Sequence, residues 1–330
     1  MSILVTGGAG YIGSHTVRML REQGHDVLVL DSMEYGNEAA LLGAELHVGD
    51  IRDRAAVTQL CGDRGVTQVV HFAAYKSVGE SMEQPERYWM NNVAGTVDLL
   101  EGVLAAGVRD IVFSSSCSVN GTPATNPVTE DAPIAPESVY AETKAMVERV
   151  LHWYGVTRSL RAVSLRYFNA AGASMDAKIG EDWSRSLNLV PLVMKATLGR
   201  APKVLVFGTD YPTPDGTCIR DYIHVDDLAD AHIKALAHLA TLGADGYDIA
   251  LNVGTGVGSS VLEVIHATER ISGQAVPYEL APRRAGDPVA TFADPARITA
   301  TIGWRPTRSL DDIISSAWQW HSTHLDGYAS

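Results

Sequence analysis

Tyr140 and Lys144, in YAETK, stand four residues apart, so a helix through them puts both on one face, a single turn from each other. A tyrosine works as a base near neutrality only if its pKa falls from about 10, which costs about 4 kcal/mol. A lysine ammonium one turn away supplies the opposite charge that a phenolate needs. Ser114, Ser115 and Ser116 end 24 residues before Tyr140, and a serine hydroxyl there can share the proton or orient a substrate hydroxyl. With an oxidised nicotinamide above the phenol, these residue types suit hydride chemistry on a secondary alcohol. Y-x-x-x-K alone is a frequent pattern, so its weight comes from the elements around it.

The first of these elements opens the chain. Ile3, Leu4 and Val5 form an apolar run of strand length, and Gly7, Gly8 and Gly10 follow before Tyr11, Ile12 and Gly13 start a helical pattern through Leu20. A strand feeding a glycine turn into a helix N-terminus exposes amides and the positive end of the dipole, which suits a pyrophosphate. The spacing is G-x-x-G-x-x-G, a variant of the dinucleotide fingerprint. Residues 25–30 read as a second strand ending in Asp31, eighteen residues beyond Gly13, where a carboxylate takes the adenosine ribose hydroxyls. Asp31 would repel a 2′-phosphate, and Ser32 and Met33 supply no cation, so the expected cofactor is NAD rather than NADP.

Strand and helix then alternate to about residue 165, with strands at 45–48, 68–72, 110–113 and 161–165 and helices at 52–62, 85–106 and 136–154. This order predicts an α/β fold, a doubly wound parallel sheet of Rossmann type with right-handed crossovers. Ligands of such sheets lie off the carboxyl ends of the strands, which aligns Gly7, Asp31, Asp50, Ala73 and Ser116 along one edge. After Arg166 the texture changes: 169–186 is rich in Gly, Ala, Asp and Ser, and helices are expected at 189–198, 226–239, 261–272 and 310–321, with strands at 204–207 and 251–256. The expected division is a NAD-binding domain over 1–168 and a smaller α/β substrate lobe over 169–330, from which about 221–256 packs back on the first domain.

Composition narrows the function classes. At 330 residues two domains are expected, and 46% hydrophobic with 20% charged residues fits a globular chain with a large core. A net charge of −13 argues against a nucleic-acid surface and requires that any phosphate be held by a local site. Cys61, Cys117 and Cys218 form no C-x-x-C pair, which suits a reducing compartment. No basic segment precedes an apolar stretch and no apolar run approaches the roughly 18 residues of a membrane span, so a cytoplasmic location and no membrane partner are expected. His321 and His324 lack a further ligand beside them and read as part of a solvated terminal helix; no metal is expected.

Longer stretches carry a resemblance. They are TGGAGYIGSH (6–15), GDIRD (49–53), VVHFAAYKSVGES (69–81), NNVAGT (91–96), FSSSCSV (113–119), YAETK, LRYFNAAGA (165–173), DYPTPDGTCIRDYIHVDDLADAH (210–232) and APRRAGD (281–287). On these the chain resembles the extended short-chain dehydrogenase/reductase superfamily and, within it, the UDP-glucose 4-epimerases almost end to end. The resemblance implies inversion of a sugar C4 through a transient 4-keto sugar with tightly held NAD, possible only if the hexose turns about its diphosphate linkage. It assigns catalysis to Ser116, Tyr140 and Lys144. It assigns NAD binding to Gly7, Gly10, Tyr11, Ile12, Asp31, Asp50, Ile51, Phe72, Ala73, Ala74, Lys76, Asn91 and Tyr167, with Tyr140 and Lys144. It assigns the UDP-sugar to Asn169, Asn188, Leu189, Arg220, Arg284 and Asp287, with Ser116 and Tyr140. Guanidinium forks suit a diphosphate because each donates two parallel hydrogen bonds. It also implies a homodimer through helices near 85–106 and 138–154.

Departures from the family pattern matter as well. Asn120 stands where a tyrosine is usual, Ser32 where an asparagine is usual, and the stretch from Asp31 to Asp50 is short, which implies a looser adenosine grip. Thr291 replaces a bulky tyrosine and leaves room for an N-acetyl group. A 4,6-dehydratase would need an Asp-Glu pair just beyond the catalytic serine, where this chain has Cys117 and Ser118. A non-catalytic NAD-sensing regulator on the same fold would not need Ser116, Tyr140 and Lys144 together.

Overall fold

The computed structural model describes residues 2–284 and 286–328; Met1, Ala329, Ser330 and Ala285 of the APRRAGD stretch lie outside the described residues. The first half runs β1 (Ser2–Thr6), α1 (Tyr11–Glu22), β2 (Asp26–Asp31), β3 (Glu45–Val48), α2 (Arg54–Arg64), β4 (Val66–His71), α3 (Val78–Glu83), α4 (Pro85–Tyr88), α5 (Gly95–Ala105), β5 (Asp110–Ser114), α6 (Val139–Arg158) and β6 (Arg161–Tyr167). The second runs β7 (Asn169–Ala171), α7 (Leu189–Thr197), β8 (Val204–Phe207), β9 (Ile219–His224), α8 (Val225–Leu239), β10 (Tyr247–Val253), β11 (Gly258–Ser260), α9 (Val261–Ser272), β12 (Tyr278–Ala281), β13 (Ala290–Thr291), α10 (Ala296–Ile302) and α11 (Leu310–Thr323).

Seven parallel strands form the main sheet in the order β10-β6-β5-β4-β1-β2-β3. Ile3, Leu4 and Val5, like Val69 and Val70, are fully buried because helices cover both faces of the sheet. The strand order reverses between β1 and β4, which opens a crevice beyond their carboxyl ends. The NAD-binding half of the expected architecture is therefore a Rossmann sheet, as the alternation of elements predicts.

The second half contributes to both layers of the molecule. Leu228, Ile233 and Leu236 of α8 join the core of the main sheet with Val112, Val163 and Val253, while β10 adds the outer strand beside β6. The remaining elements pack α7, α9 and α11 with small sheets, β11-β9-β13 with β7 on β9, and β8 with β12, around Val193, Met194, Val206, Ile265 and Ile313. No helix among the described residues is long and apolar enough to cross a membrane.

Some boundaries differ from the periodicity. The helix expected at 136–154 starts at Val139, because Ser138 caps it by accepting from the Ala141 N–H at 3.2 Å, and it continues to Arg158. The single helix expected over 85–106 is α4 and α5 joined through a π turn at Trp89–Ala94. This wider turn presents Asn92 inward, where its amide exchanges two bonds with the Tyr75 backbone (2.9 and 3.0 Å) and so ties down the loop after β4. β10 starts at Tyr247, before the expected 251. His321 is buried against the Trp183 ring with centroids 4.5 Å apart, so the solvated reading of this histidine is wrong.

Candidate active site

Ser116, Tyr140 and Lys144 meet where β5 ends. Tyr140 sits in the first turn of α6, its N–H donating to Ser81 Oγ at 3.1 Å, and only 7% of it is exposed. Lys144 Nζ donates to the Ser114 carbonyl at 2.7 Å and lies 4.8 Å from the Phe113 ring centre and 5.9 Å from that of Tyr140. Ser116 Oγ accepts from Ser118 Oγ at 2.8 Å and from the Ser118 N–H, and its hydrogen bonding favours the Tyr140 phenolate.

Burial dominates the electrostatics here. It drives the Tyr140 phenol well above its ordinary range, the nearby Tyr167 phenol adding to the effect and Ser116 opposing it. Burial likewise pushes Lys144 down to about 7, with Glu148 pulling it back up. The sequence-based expectation that the lysine lowers the phenol is therefore outweighed by desolvation in the protein alone: the ammonium is itself partly neutralised by the same dry surroundings. A further positive charge over the phenol is what this pair lacks for base chemistry.

The glycine turn is built so tightly that its geometry tests for a nucleotide cradle. Gly7 has φ +69°, and a Cβ on it would stand 2.6 Å from the Ala73 nitrogen. One on Gly13 would stand 2.3 Å from the Gly7 carbonyl oxygen. Backbone alone therefore lines the passage from β1 to α1, whose cap Gly10 places no side chain over the first amides and whose first turn holds no acid. Buried Asp31 accepts from the Ala9 N–H at 3.0 Å and the Met33 N–H at 2.9 Å, which fixes its carboxylate beside the turn. These donors, and the acid next to them, fit a dinucleotide with free ribose hydroxyls.

Other expected cofactor residues flank this turn. Phe72 packs on His232 (4.6 Å between centroids) and Ala73 and Ala74 follow β4. Ile51 is buried, whereas Asp50 pairs with Arg52, which holds its carboxyl below the usual range. The Tyr11 hydroxyl donates to the Gly172 carbonyl at 2.7 Å, with Ile12 next to it in α1. Asn91 donates to Asn92 at 3.0 Å, and Tyr167 accepts from Ser114 Oγ at 3.3 Å. Exposed Lys76 lies 3.7 Å from Glu181 of the second lobe.

Across the cleft, two guanidiniums converge on one carboxylate. Arg220 of β9 is 3.6 Å from Asp287 and donates to the Pro288 carbonyl at 2.9 Å, while Arg284 donates to Asp287 at 2.8 Å. The Cys117 thiol is pushed up to about 12 by burial, with Asp221 raising and Arg220 lowering it, so β9 reaches the strand end that carries Ser116. Thr291 stands opposite Arg220 in the β13–β9 register, its buried Oγ1 without a hydrogen-bond partner among the described residues. Asn188 precedes α7 without a side-chain capping bond and instead donates to Glu181 at 3.4 Å, Leu189 opens that helix, and exposed Asn169 opens β7. Asn120 turns away from the cleft and donates to the Ala132 and Pro133 carbonyls at 3.1 and 3.0 Å, pinning the loop before α6.

Sequence reasoning missed Glu148 and Asp221. Glu148 carried a signal, its place one turn beyond Lys144. Asp221 carried none: its carboxylate accepts from the Thr255, Gly256 and Ala293 N–H groups, partners distant in sequence.

The profile of the NAD dependent epimerase/dehydratase family matches residues 3–254. A UDP-glucose 4-epimerase of Halalkalibacterium halodurans is 45% identical over 331 residues, covering 100% of this chain and 98% of that one. The chain belongs to this epimerase/dehydratase family. Among solved structures, the UDP-glucose 4-epimerase of Stenotrophomonas maltophila with bound NAD and formylated UDP-arabinopyranose superposes with a TM-score of 0.95 at 41% identity, covering 98% of this chain and 99% of that one. The UDP-Glc/GlcNAc 4-epimerase of Campylobacter jejuni follows at 0.85 and 38%, covering 98% and 99%. Within the family, Cys117 and Ser118 supply no acid beside Ser116, which favours the epimerase side over the dehydratase side.

Proposed function

We propose that the chain is an NAD-dependent UDP-glucose/UDP-galactose 4-epimerase that inverts C4 through a transient 4-keto sugar. The observation that carries this is the convergence of Ser116, Tyr140 and Lys144 beside a side-chain-free nucleotide turn, in a chain matching a UDP-glucose 4-epimerase along its whole length. Residues 1–168 form the nucleotide domain and 169–330 the sugar-nucleotide lobe, with α8 and β10 returned to the main sheet.

Gly7, Gly10, Tyr11 and Ile12 present the amides for the pyrophosphate, and Asp31 takes the adenosine ribose. Asp50, Ile51, Phe72, Ala73, Ala74, Lys76, Asn91 and Tyr167 line the rest of that site. NAD bound there supplies an acceptor and then a donor of hydride. Tyr140 Oη removes the proton from the sugar 4-hydroxyl and returns it, Ser116 Oγ orients that hydroxyl, and Lys144 Nζ stabilises the phenolate. Arg220 and Arg284, spaced by Asp287, grip the diphosphate, while Asn169, Asn188 and Leu189 hold the uridine and sugar ends. Anchoring at the diphosphate leaves the hexose free to turn its other face to the same base.

Incubation with UDP-galactose and no added oxidant, followed by NMR, tests the reading. UDP-glucose without net NADH supports it; loss of the 6-hydroxyl or accumulation of NADH rejects it.

Thr291 leaves space for a 2-acetamido group, so UDP-N-acetylhexosamines are also substrates. The Campylobacter enzyme with UDP-Glc/GlcNAc activity is similar to this chain throughout. Met146, Trp153 and Val156 expose an apolar stripe on α6, and Met90 is exposed on the π turn that packs against α6, which supports pairing of two copies as a homodimer. Free Cys61, Cys117 and Cys218 support a reducing, cytoplasmic location, and the proposed reaction would serve galactose metabolism.

A further inference from the structure

Three consecutive serines at the end of β5 engage three successive turns of α6. Ser116 bonds toward the Tyr140 phenol, the Ser114 carbonyl accepts from Lys144 Nζ, and Ser115 Oγ donates to Glu148 Oε1 at 2.5 Å. Tyr140, Lys144 and Glu148 are spaced by four, so they share one helix face. Arg166 of β6 closes on the Glu148 carboxylate from the other side, Nη2 donating at 2.6 Å and Nε at 3.0 Å. The pair is largely shut away from water, with 7% of the Arg166 side chain and 12% of the Glu148 side chain exposed.

We propose that Glu148, braced by Arg166 and Ser115, is a positioning residue that holds Lys144 as an ammonium beneath Tyr140. The inference rests on the assignment of Tyr140 and Lys144 above and extends it to the residue that sets their charge.

The groups facing Lys144 decide the sign. From β4 comes His71, a neutral imidazole bonded to Thr6 and Thr96; from β5, the Phe113 ring and Ser114 carbonyl; from β6, the Tyr167 phenol, with Arg166 behind Glu148. From α6 itself come Tyr140 and Glu148. Glu148 supplies the negative charge in this set, and it is the group that raises Lys144 against the effect of burial. The two-pronged Arg166 guanidinium fixes that carboxylate in place through charge-assisted hydrogen bonds. The acid thus reaches the phenol only through the amine.

The test uses full-length protein with its cofactor, Glu148→Gln, and carbon-13-labelled lysine. The Lys144 methylene signal is titrated by NMR, and the pH profile of UDP-galactose epimerisation is measured alongside it. Removing the negative charge should move the Lys144 midpoint to lower pH by roughly one unit and, above that midpoint, lower kcat about tenfold with KM little changed. Glu148→Gln strands a guanidinium, so Glu148→Gln with Arg166→Gln serves if the single variant does not fold; a smaller shift in the same direction is expected. An unchanged midpoint in either folded variant overturns the proposal. Failure of the parent protein to invert C4 would instead refute the function reading, leaving the NMR titration to judge Glu148 by itself.

Discussion

Lys144 Nζ donates to the Ser114 carbonyl at 2.7 Å, and that bond fastens the first turns of α6 to the end of β5. Tyr140 and Ser116 lie one step to either side of it, on the helix and on the chain leaving the strand. The lysine is therefore a tie between the two elements as well as a charge. Its anchor is a backbone carbonyl, which no side-chain substitution at position 114 removes.

Tyr140→Phe keeps the ring and removes the proton-transferring oxygen. Epimerisation should fall by about 10²–10⁴-fold, the usual worth of a placed acid–base group. Thermal melting should remain close to that of the parent, because the ring that fills the buried site is retained. NMR turnover of UDP-galactose and a melting curve check this; a variant retaining most of its rate removes Tyr140 from the chemistry.

Gly13→Ala places a methyl 2.3 Å from the Gly7 carbonyl oxygen, where backbone cannot yield cheaply. The turn must open, and the protein should lose bound NAD and stability together. Gly10→Ala meets the same oxygen at 3.3 Å and should be much milder. Cofactor content after purification, read by absorbance, ranks the two.

Arg220→Ala and Arg284→Ala each remove a guanidinium that faces Asp287, leaving that acid to repel a diphosphate. Each should weaken UDP binding by about 10- to 100-fold, in line with loss of a charge-assisted hydrogen bond of about 1.5–3 kcal/mol. Calorimetric titration with UDP measures it; unchanged affinity in both variants displaces the diphosphate from this pair.

Thr291→Tyr refills the space opposite Arg220. Turnover of UDP-N-acetylglucosamine should be lost selectively, with UDP-galactose retained. Background rates on the acetylated sugar in the parent would reject the wider specificity.

Acid should unfold the protein early. Burial lowers His71 and His321 to about 3, and His224 and His232 to about 4, from an ordinary 6.5. The folded chain refuses protons that the unfolded chain accepts, so stability is intact above pH 6.5 and declines as pH falls toward 3–4. Each histidine contributes a slope of about 1.4 kcal/mol per pH unit inside that window. Urea midpoints at pH 7 and pH 5 test this, and equal midpoints would contradict it.

The fold was legible where local pattern and burial agree. Ile3, Leu4 and Val5 before a glycine turn, the YAETK spacing and the strand–helix alternation all depend on neighbours within a few residues, and β1, α1 and α6 formed near where expected, whereas the 85–106 helix was broken by a π turn. β9 was less legible because Arg220 and Asp221 interrupt its apolar pattern, and Asp221 is accommodated by backbone donors from residues 255, 256 and 293. His321 misled for the same reason: the Trp183 ring that covers it is 138 residues away in the chain.

Sequence alone determined the chemistry available: a phenol and an amine one helical turn apart, a serine at a strand end, and a glycine turn leading from a strand into a helix. Tertiary structure alone decided the state of those groups, because protonation follows from what excludes water. Only packing could place Glu148 against Ser115 and Arg166, or make burial outweigh the lysine's charge at Tyr140. Covalent order specifies which groups are present, whereas desolvation and charge pairing depend on distances that exist only once β5, β6 and α6 have packed.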